Sequence, residues 1–222
     1  MDMVYHSMKK DEVCLNKGLQ ITPQKWSSLV DIIKEKCKFC HIEPESTTFC
    51  LAVTISYQYF SLHHVQANRN LEVIAVAALW IADKYNGGQA SQYKWKRLIH
   101  AFCAIYQIEP WWFVNAEKCL LQEMQFKLGG PTVYCFLEHI LNNQALKHPS
   151  LPFLKSDQFK FSVIQYSELA LRMPSVLSGQ LPSSIAVACV YKTIMKMVDA
   201  SFFINTPGSY NRKAMAIAAL FP

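Results

Sequence analysis

Five consecutive residues, Cys37-Lys38-Phe39-Cys40-His41, form the sharpest chemical motif in this chain of 222 residues. Two cysteines and a histidine at this spacing match the attachment pattern of a c-type haem. A Cys-x-x-Cys pair can also exchange electrons or bind zinc, but a structural zinc needs four ligands. No second Cys-x-x-Cys and no suitably spaced histidine pair supplies the rest. Cys37 also falls on the apolar stripe of a helical repeat, so a buried thiol without a ligand is the simpler reading. His63-His64 reads in the same way as a helix end rather than a ligand pair. Trp111-Trp112-Phe113 heads another helical repeat and is either core or a partner-facing surface, where Trp is enriched. There is no Gly-rich phosphate loop, no Gly-x-Ser-x-Gly elbow and no His-Glu-x-x-His helix. These residues therefore imply no enzyme, no metal, no cofactor and no small-molecule substrate.

Composition narrows the class further. Hydrophobic residues make up 51% and charged residues 17%, the latter against roughly 25% in an average soluble domain. That balance suits a compact protein with apolar surface to spare for a partner. The net charge is +6, and seven lysines precede residue 39: Lys9, Lys10, Lys17, Lys25, Lys34, Lys36 and Lys38. Such an excess suits nucleic acid or an acidic partner, but no basic run exceeds Lys9-Lys10. A solvated basic face is the plainer reading, and direct nucleic-acid binding is not expected. The longest apolar stretch, Val73–Ala82, falls short of the ~20 residues of a membrane span. With no signal peptide visible, the expected location is nucleus and/or cytoplasm. The eight cysteines are then free thiols, with Cys50, Cys103, Cys119, Cys135 and Cys189 expected as small buried hydrophobes.

The elements that must position these residues read as helices throughout. Thr22-Pro23, Glu43-Pro44, Glu109-Pro110 and Leu181-Pro182 each precede an apolar-periodic run. Proline is tolerated in a first turn, where its missing N–H would have no partner. After Pro23, Trp26, Leu29, Val30, Ile33 and Cys37 share one helix face. A second helix is predicted from about Glu45 to His63. The third, Leu71 to Tyr85, is apolar nearly all round and alanine-rich, which puts it at the centre of a bundle, and Asn86-Gly87-Gly88 stops it. A fourth lies within Tyr93 to Tyr106. A fifth runs from Pro110 to about Phe126, with Phe113, Ala116, Leu120 and Met124 facing inward. Gly129-Gly130-Pro131 then breaks the chain. Further helices are expected over Thr132 to Asn142, Asp157 to Leu171 and Pro182 to Val198. The fold class is all-α.

Several segments, in register, resemble the cyclin family. Ile81-Ala82-Asp83-Lys84-Tyr85 is similar to the "ASKYEE" segment of the cyclin box. Glu117, then Leu121, Phe126, Leu128 and Pro131-Thr132, with Phe136-Leu137, resembles the acidic residue, "LxF.L" and "PT..FL" of that family. Leu29-Val30-Asp31 and Ile42-Glu43-Pro44-Glu45 fall where cell-cycle cyclins carry "LVDW" and "LQPET". More faintly, Ser167-Glu168-Leu169 and Pro182-Ser183-Ser184-Ile185-Ala186 resemble the second cyclin fold. The resemblance implies tandem five-helix bundles, the second shortened. Residues 1–22 would be an N-terminal extension, 23–129 the first box and 130–222 an incomplete second.

The same resemblance implies a partner, a cyclin-dependent protein kinase. Lys84 and Glu117 match the residues that hold the kinase's regulatory helix, and Ile81, Tyr85, Leu121, Phe126 and Leu128 match apolar positions around that grip. Function would be activation of the kinase in cell-cycle control, with a cyclin-fold scaffold or assembly factor as the alternative. Departures mark a divergent member. Asn86-Gly87 replaces the acidic pair, and Ser56-Tyr57-Gln58-Tyr59-Phe60 lacks the Asp and Arg of "LDRF". The "MRAIL" docking patch reads Lys25-Trp26-Ser27-Ser28-Leu29, which argues against recruitment of RxL-bearing substrates.

Overall fold

A helix with no polar face has to be surrounded, and the third helix of this chain is. From Leu71 to Ala82 every residue except Glu72 and Trp80 is buried. The computed structural model describes residues 7–8, 15, 20–43, 46–62, 68–87, 92–107, 109–128, 130–147 and 152–202. In chain order its helices are α1 (Pro23–Phe39), α2 (Thr47–Leu62), α3 (Asn68–Tyr85), α4 (Gln92–Tyr106) and α5 (Trp111–Glu123). Then come α6 (Val133–Lys147), a 3-10 turn (Pro152–Lys155), α7 (Asp157–Leu171), the short α8 (Pro174–Leu177) and α9 (Pro182–Phe202). Among the described residues there is no strand, only an isolated bridge between Leu15 and Ser178.

Helices α1, α2 and α5 close around α3, and α6 and α7 pack on α9, so the architecture is two helical bundles in tandem. Alanine dominates the buried length of α3, at Ala75, Ala77, Ala78 and Ala82, and lets neighbours approach closely while favouring the helix itself. In α4, Trp95 is buried and its indole N–H donates to the buried Asp83 carboxylate of α3 at 2.7 Å. That bond satisfies two polar groups that would each be costly alone. The Thr22 hydroxyl accepts the Lys25 N–H and caps α1, whose first residue is Pro23. Ser156 caps α7 likewise through the Phe159 N–H.

Several boundaries differ from expectation. Helix α5 ends at Glu123, short of Phe126, while α6 and α9 run on to Lys147 and Phe202. The turn Pro152–Lys155 and α8 lie between the predicted helices. Cys119 is exposed and Cys135 half-buried, so only Cys50, Cys103 and Cys189 of the group expected inside are buried. The boundary placed at Gly129-Gly130 falls partly on Gly129, and the His63-His64 pair falls wholly, outside the described residues. Residues ahead of α1 touch both bundles: Gly179 N–H donates to the Leu15 carbonyl at 2.9 Å, and Gln20 N–H to Phe60 at 2.8 Å.

The two bundles are also joined by contacts from α1 to the end of α7. The Trp26 indole, fully buried, donates to the Leu171 carbonyl at 2.9 Å. That carbonyl belongs to the last turn of α7, where acceptors lack an intrahelical donor. Trp26 meets Tyr57 edge to face, centroids 5.5 Å apart. Beside it, Arg172 reaches Asp31 at 2.6 Å and Glu168 at 2.7 Å, and Lys34 bonds Glu168 as well.

Burial pushes the Glu168 carboxyl up, but hydrogen bonds and charge from Lys34 and Arg172 outweigh it and hold it below its ordinary value. A carboxyl depressed in the folded state adds stability that is complete above its unfolded value of about 4.3 and is lost as pH falls through the folded one. Glu168→Gln should therefore cost about 1–3 kcal/mol at neutral pH, read from urea midpoints. The gap to the parent should close as pH falls below about 4. A gap independent of pH would show that the ion pairs contribute nothing.

Candidate functional site

The last two residues of α3 are the first to escape its surroundings. Ala82 is buried, whereas Lys84 and Tyr85 are exposed. The helix stops because Gly87 adopts φ +66°, and the Asn86 amide donates to the Thr48 hydroxyl at 3.0 Å. A cation in this last turn also suits the helix dipole. Glu117 sits in the middle of α5, on the turn after Phe113 and Ala116 face the core. Packing of α5 against α3 brings the two side chains together: Lys84 Nζ donates to Glu117 Oε1 at 2.6 Å. The pair remains solvated, with the lysine side chain 51% and the glutamate 26% exposed. Lys84 Nζ also lies 4.5 Å from the centre of the Trp80 ring, a cation–π contact that fixes its direction. Sequence reasoning does not single out Trp80, since it lies inside a segment that is otherwise pure core.

The apolar residues assigned to the same site divide into distinct environments. Ile81 is only 2% exposed and lines no groove, because α3 is enclosed at that point. Leu121, one turn after Glu117, is half-buried against the core. Tyr85, Phe126 and Leu128 line a cavity of about 410 Å³ whose other walls include residues of α2, α6, α7, α8 and α9. Phe126 is 68% exposed and holds φ +59°, following Gln125 at φ +51°. Helix α5 ends in a Schellman arrangement: Phe126 N–H donates to the Leu121 carbonyl at 2.8 Å and Gln125 N–H to Gln122 at 2.9 Å. Glycine usually occupies the left-handed position of that motif, yet here two larger residues do. Trp111 and Trp112 are both exposed, at 54% and 44%, and only Phe113 of that cluster enters the core.

The Cys37–His41 motif is the same kind of helix ending. Ile42 N–H donates to the Cys37 carbonyl at 2.9 Å and His41 N–H to Lys38 at 3.1 Å, with His41 at φ +57°. Both thiols are buried, and burial pushes each up to about 12, helped by the negative charge of Asp83. A thiol held that high supplies little of the thiolate that metal binding and redox exchange require. Among the described residues no group of three or more His, Cys, Asp or Glu could hold a metal ion. No described helix is long and apolar enough to cross a membrane.

Comparison with known proteins follows the same lines. The family model "Cyclin, N-terminal domain" matches residues 3–129. The chain belongs to the cyclin family. A curated relative in Oryza sativa subsp. japonica, Cyclin-B1-3, is 31% identical over 146 residues, 65% of this chain and 27% of its own length. Cyclin-B1-1 of the same organism is 28% identical over 197 residues, 86% of this chain and 40% of its own length. This cyclin thus spans less than half the length of the curated relatives it matches. The X-ray structure of a viral cyclin from Herpesvirus saimiri superimposes with a TM-score of 0.64 at 19% identity, covering 86% of this chain and 81% of that one. That likeness shows the tandem cyclin fold.

Thiol accessibility tests the assignment of the cysteines. With a maleimide reagent at pH 8, Cys119 should label in the native cyclin, while Cys37, Cys40, Cys50 and Cys189 should label only after denaturation. Peptide mapping by mass spectrometry reads the order. Rapid native labelling of Cys37 or Cys40, or a Soret band in the purified protein, would put a reactive site back at this helix end.

Proposed function

We propose that this cyclin is a non-catalytic regulatory subunit that binds and activates a cyclin-dependent protein kinase in cell-cycle control. The observation that carries the reading is the convergence of Lys84 and Glu117, from helices 33 residues apart in sequence, into one solvated pair at 2.6 Å. An ammonium has three donors and a carboxylate about four acceptor sites, so the pair can stay formed while each member takes one more main-chain partner. A protein kinase positions ATP only when its strand lysine meets a glutamate on its mobile regulatory helix. A subunit that binds the inward position of that helix shifts the kinase to it by differential affinity. Phe126 supports the same reading. A bulky aromatic in the left-handed region costs on the order of 1–3 kcal/mol, and Phe126 holds it while 68% exposed. Tyr85, Leu121 and Leu128 would complete the apolar surround, with Ile81 acting only as its buried support. We take residues 23–129 and 130–222 as the two boxes, and nucleus and/or cytoplasm as the place of action.

The test is the double variant Lys84→Ala/Glu117→Ala. Each charge-assisted bond to a kinase main-chain group is worth about 1.5–3 kcal/mol, so losing two should weaken binding at least about a hundredfold. Folding should change little, because exposed ion pairs contribute about 0.2–1 kcal/mol. Kinase co-purification and histone phosphorylation should both disappear while the thermal midpoint stays within a few degrees. A parent cyclin that binds no kinase from native extract would favour the scaffold reading, and a variant that binds normally would remove the grip from these residues.

A further inference from the structure

A second concave surface shares Trp80 and Glu117 with the charged pair but opens away from Tyr85, Phe126 and Leu128, toward α4. Helices α3, α4 and α5 enclose a slot of about 220 Å³. Its walls are Trp80, Ile99, Phe113, Val114 and Glu117, and its α4 lip carries Lys96 and His100. Val114 is 65% exposed at the mouth. The slot is the size of one bulky side chain, not of a folded element.

Its electrostatics are one-sided. Helix α4 contains Lys94, Lys96 and Arg97, all exposed, and no acidic residue along its length. None of these cations is paired with a carboxylate among the described residues; Arg97 only stacks on Tyr93, 5.8 Å away. The nearby carboxylates belong to α5 and the residue pair before it: Glu117, already held by Lys84, and Glu109.

We propose that this slot docks a short acidic segment of a protein other than the kinase. One bulky apolar side chain enters between Trp80, Ile99 and Val114, and carboxylates next to it in the segment pair with Lys96 and Arg97. Apolar walls select the anchor, the α4 charges select its neighbours, and Glu109 sets the direction by opposing acid at the other end. The assignment stands on the slot and the α4 cations, so it does not depend on kinase activation.

The probe is a fluorescein-labelled peptide, Gly-Ser-Leu-Phe-Glu-Glu-Glu-Gly, titrated with the full chain and followed by anisotropy. Binding should weaken about tenfold or more when the probe's Leu-Phe becomes Ala-Ala or its glutamates become lysines. On the protein side, Lys96→Glu/Arg97→Glu and Val114→Arg should each weaken it by a similar factor. The lysine form of the probe should regain binding on Lys96→Glu/Arg97→Glu. Circular-dichroism melts check folding, and Lys96→Gln/Arg97→Gln replaces the reversal if that variant melts early. Absence of binding at ~1 mM protein, or binding indifferent to these variants, would overturn the proposal. Loss sensitive to the cations but not to Val114→Arg, with displacement by a single-stranded oligonucleotide, would make the face a polyanion patch instead. Kinase co-purification should survive all three variants, and its loss would assign the slot to the kinase interface.

Discussion

The constraint on which the rest depends is that α3 has no face for water. A helix buried all round must be small along much of its length, and Ala75, Ala77, Ala78 and Ala82 meet that demand. Its neighbours are then held at fixed separations, and α5 must lie where Phe113, Ala116 and Leu120 can reach the core. Under those conditions α3 can present polar chemistry only where it ends. The buried Asp83 carboxylate is matched by the Trp95 indole of α4, and the next residue, Lys84, emerges beside Glu117. The location of the charged pair thus follows from core packing, although neither charge belongs to the core.

Two departures from the family pattern meet in space. Trp26 stands where "MRAIL" has its arginine, and Tyr57 lies in the segment that lacks the "LDRF" Asp and Arg. In this chain the two meet edge to face inside the core, and the Trp26 N–H takes the Leu171 carbonyl. A buried ionic arrangement has to offset a desolvation cost of several kcal/mol per ion. An aromatic pair with one satisfied N–H avoids that cost and adds apolar area. The charges of the junction range from exposed Asp31 to partly buried Lys34, Glu168 and Arg172, and all keep some contact with solvent, where desolvation is less severe.

Much of this was legible in the sequence because local signals and packing agreed. Helix α7 runs from Asp157 to Leu171 as read, with Ser156 as its cap, and α3 ends at the predicted Asn86-Gly87. The misses have physical causes. Helix α5 looks longer than it is because Met124, Gln125 and Phe126 continue an acceptable helical composition, and a Schellman ending built on non-glycine residues leaves no compositional mark. Cys119 sits among apolar neighbours and so reads as core, whereas the spacing of Phe113, Ala116 and Leu120 puts it off the buried stripe. The Trp26–Leu171 bond joins residues 145 apart, and no local pattern encodes it. At the site, the register with the family pointed to Lys84 and Glu117, but nothing in one dimension showed that they would pair with each other.

That pairing bears on how such a surface can persist before a partner arrives. An isolated Lys84 in a shallow apolar setting would be drawn to any carboxylate, and an isolated Glu117 to any cation. Held together over the Trp80 ring, they present a nearly neutral, oriented set of spare donors and acceptors. Long side chains that are already ordered lose less entropy on binding, about 0.5–1.5 kcal/mol each. Phe126 reaches a comparable state by another route, since its side chain is presented by a left-handed backbone that two Schellman hydrogen bonds hold in place. Both devices place their cost in the folding of the free chain, where a large core can bear it. Binding then draws on groups that are already where a partner needs them.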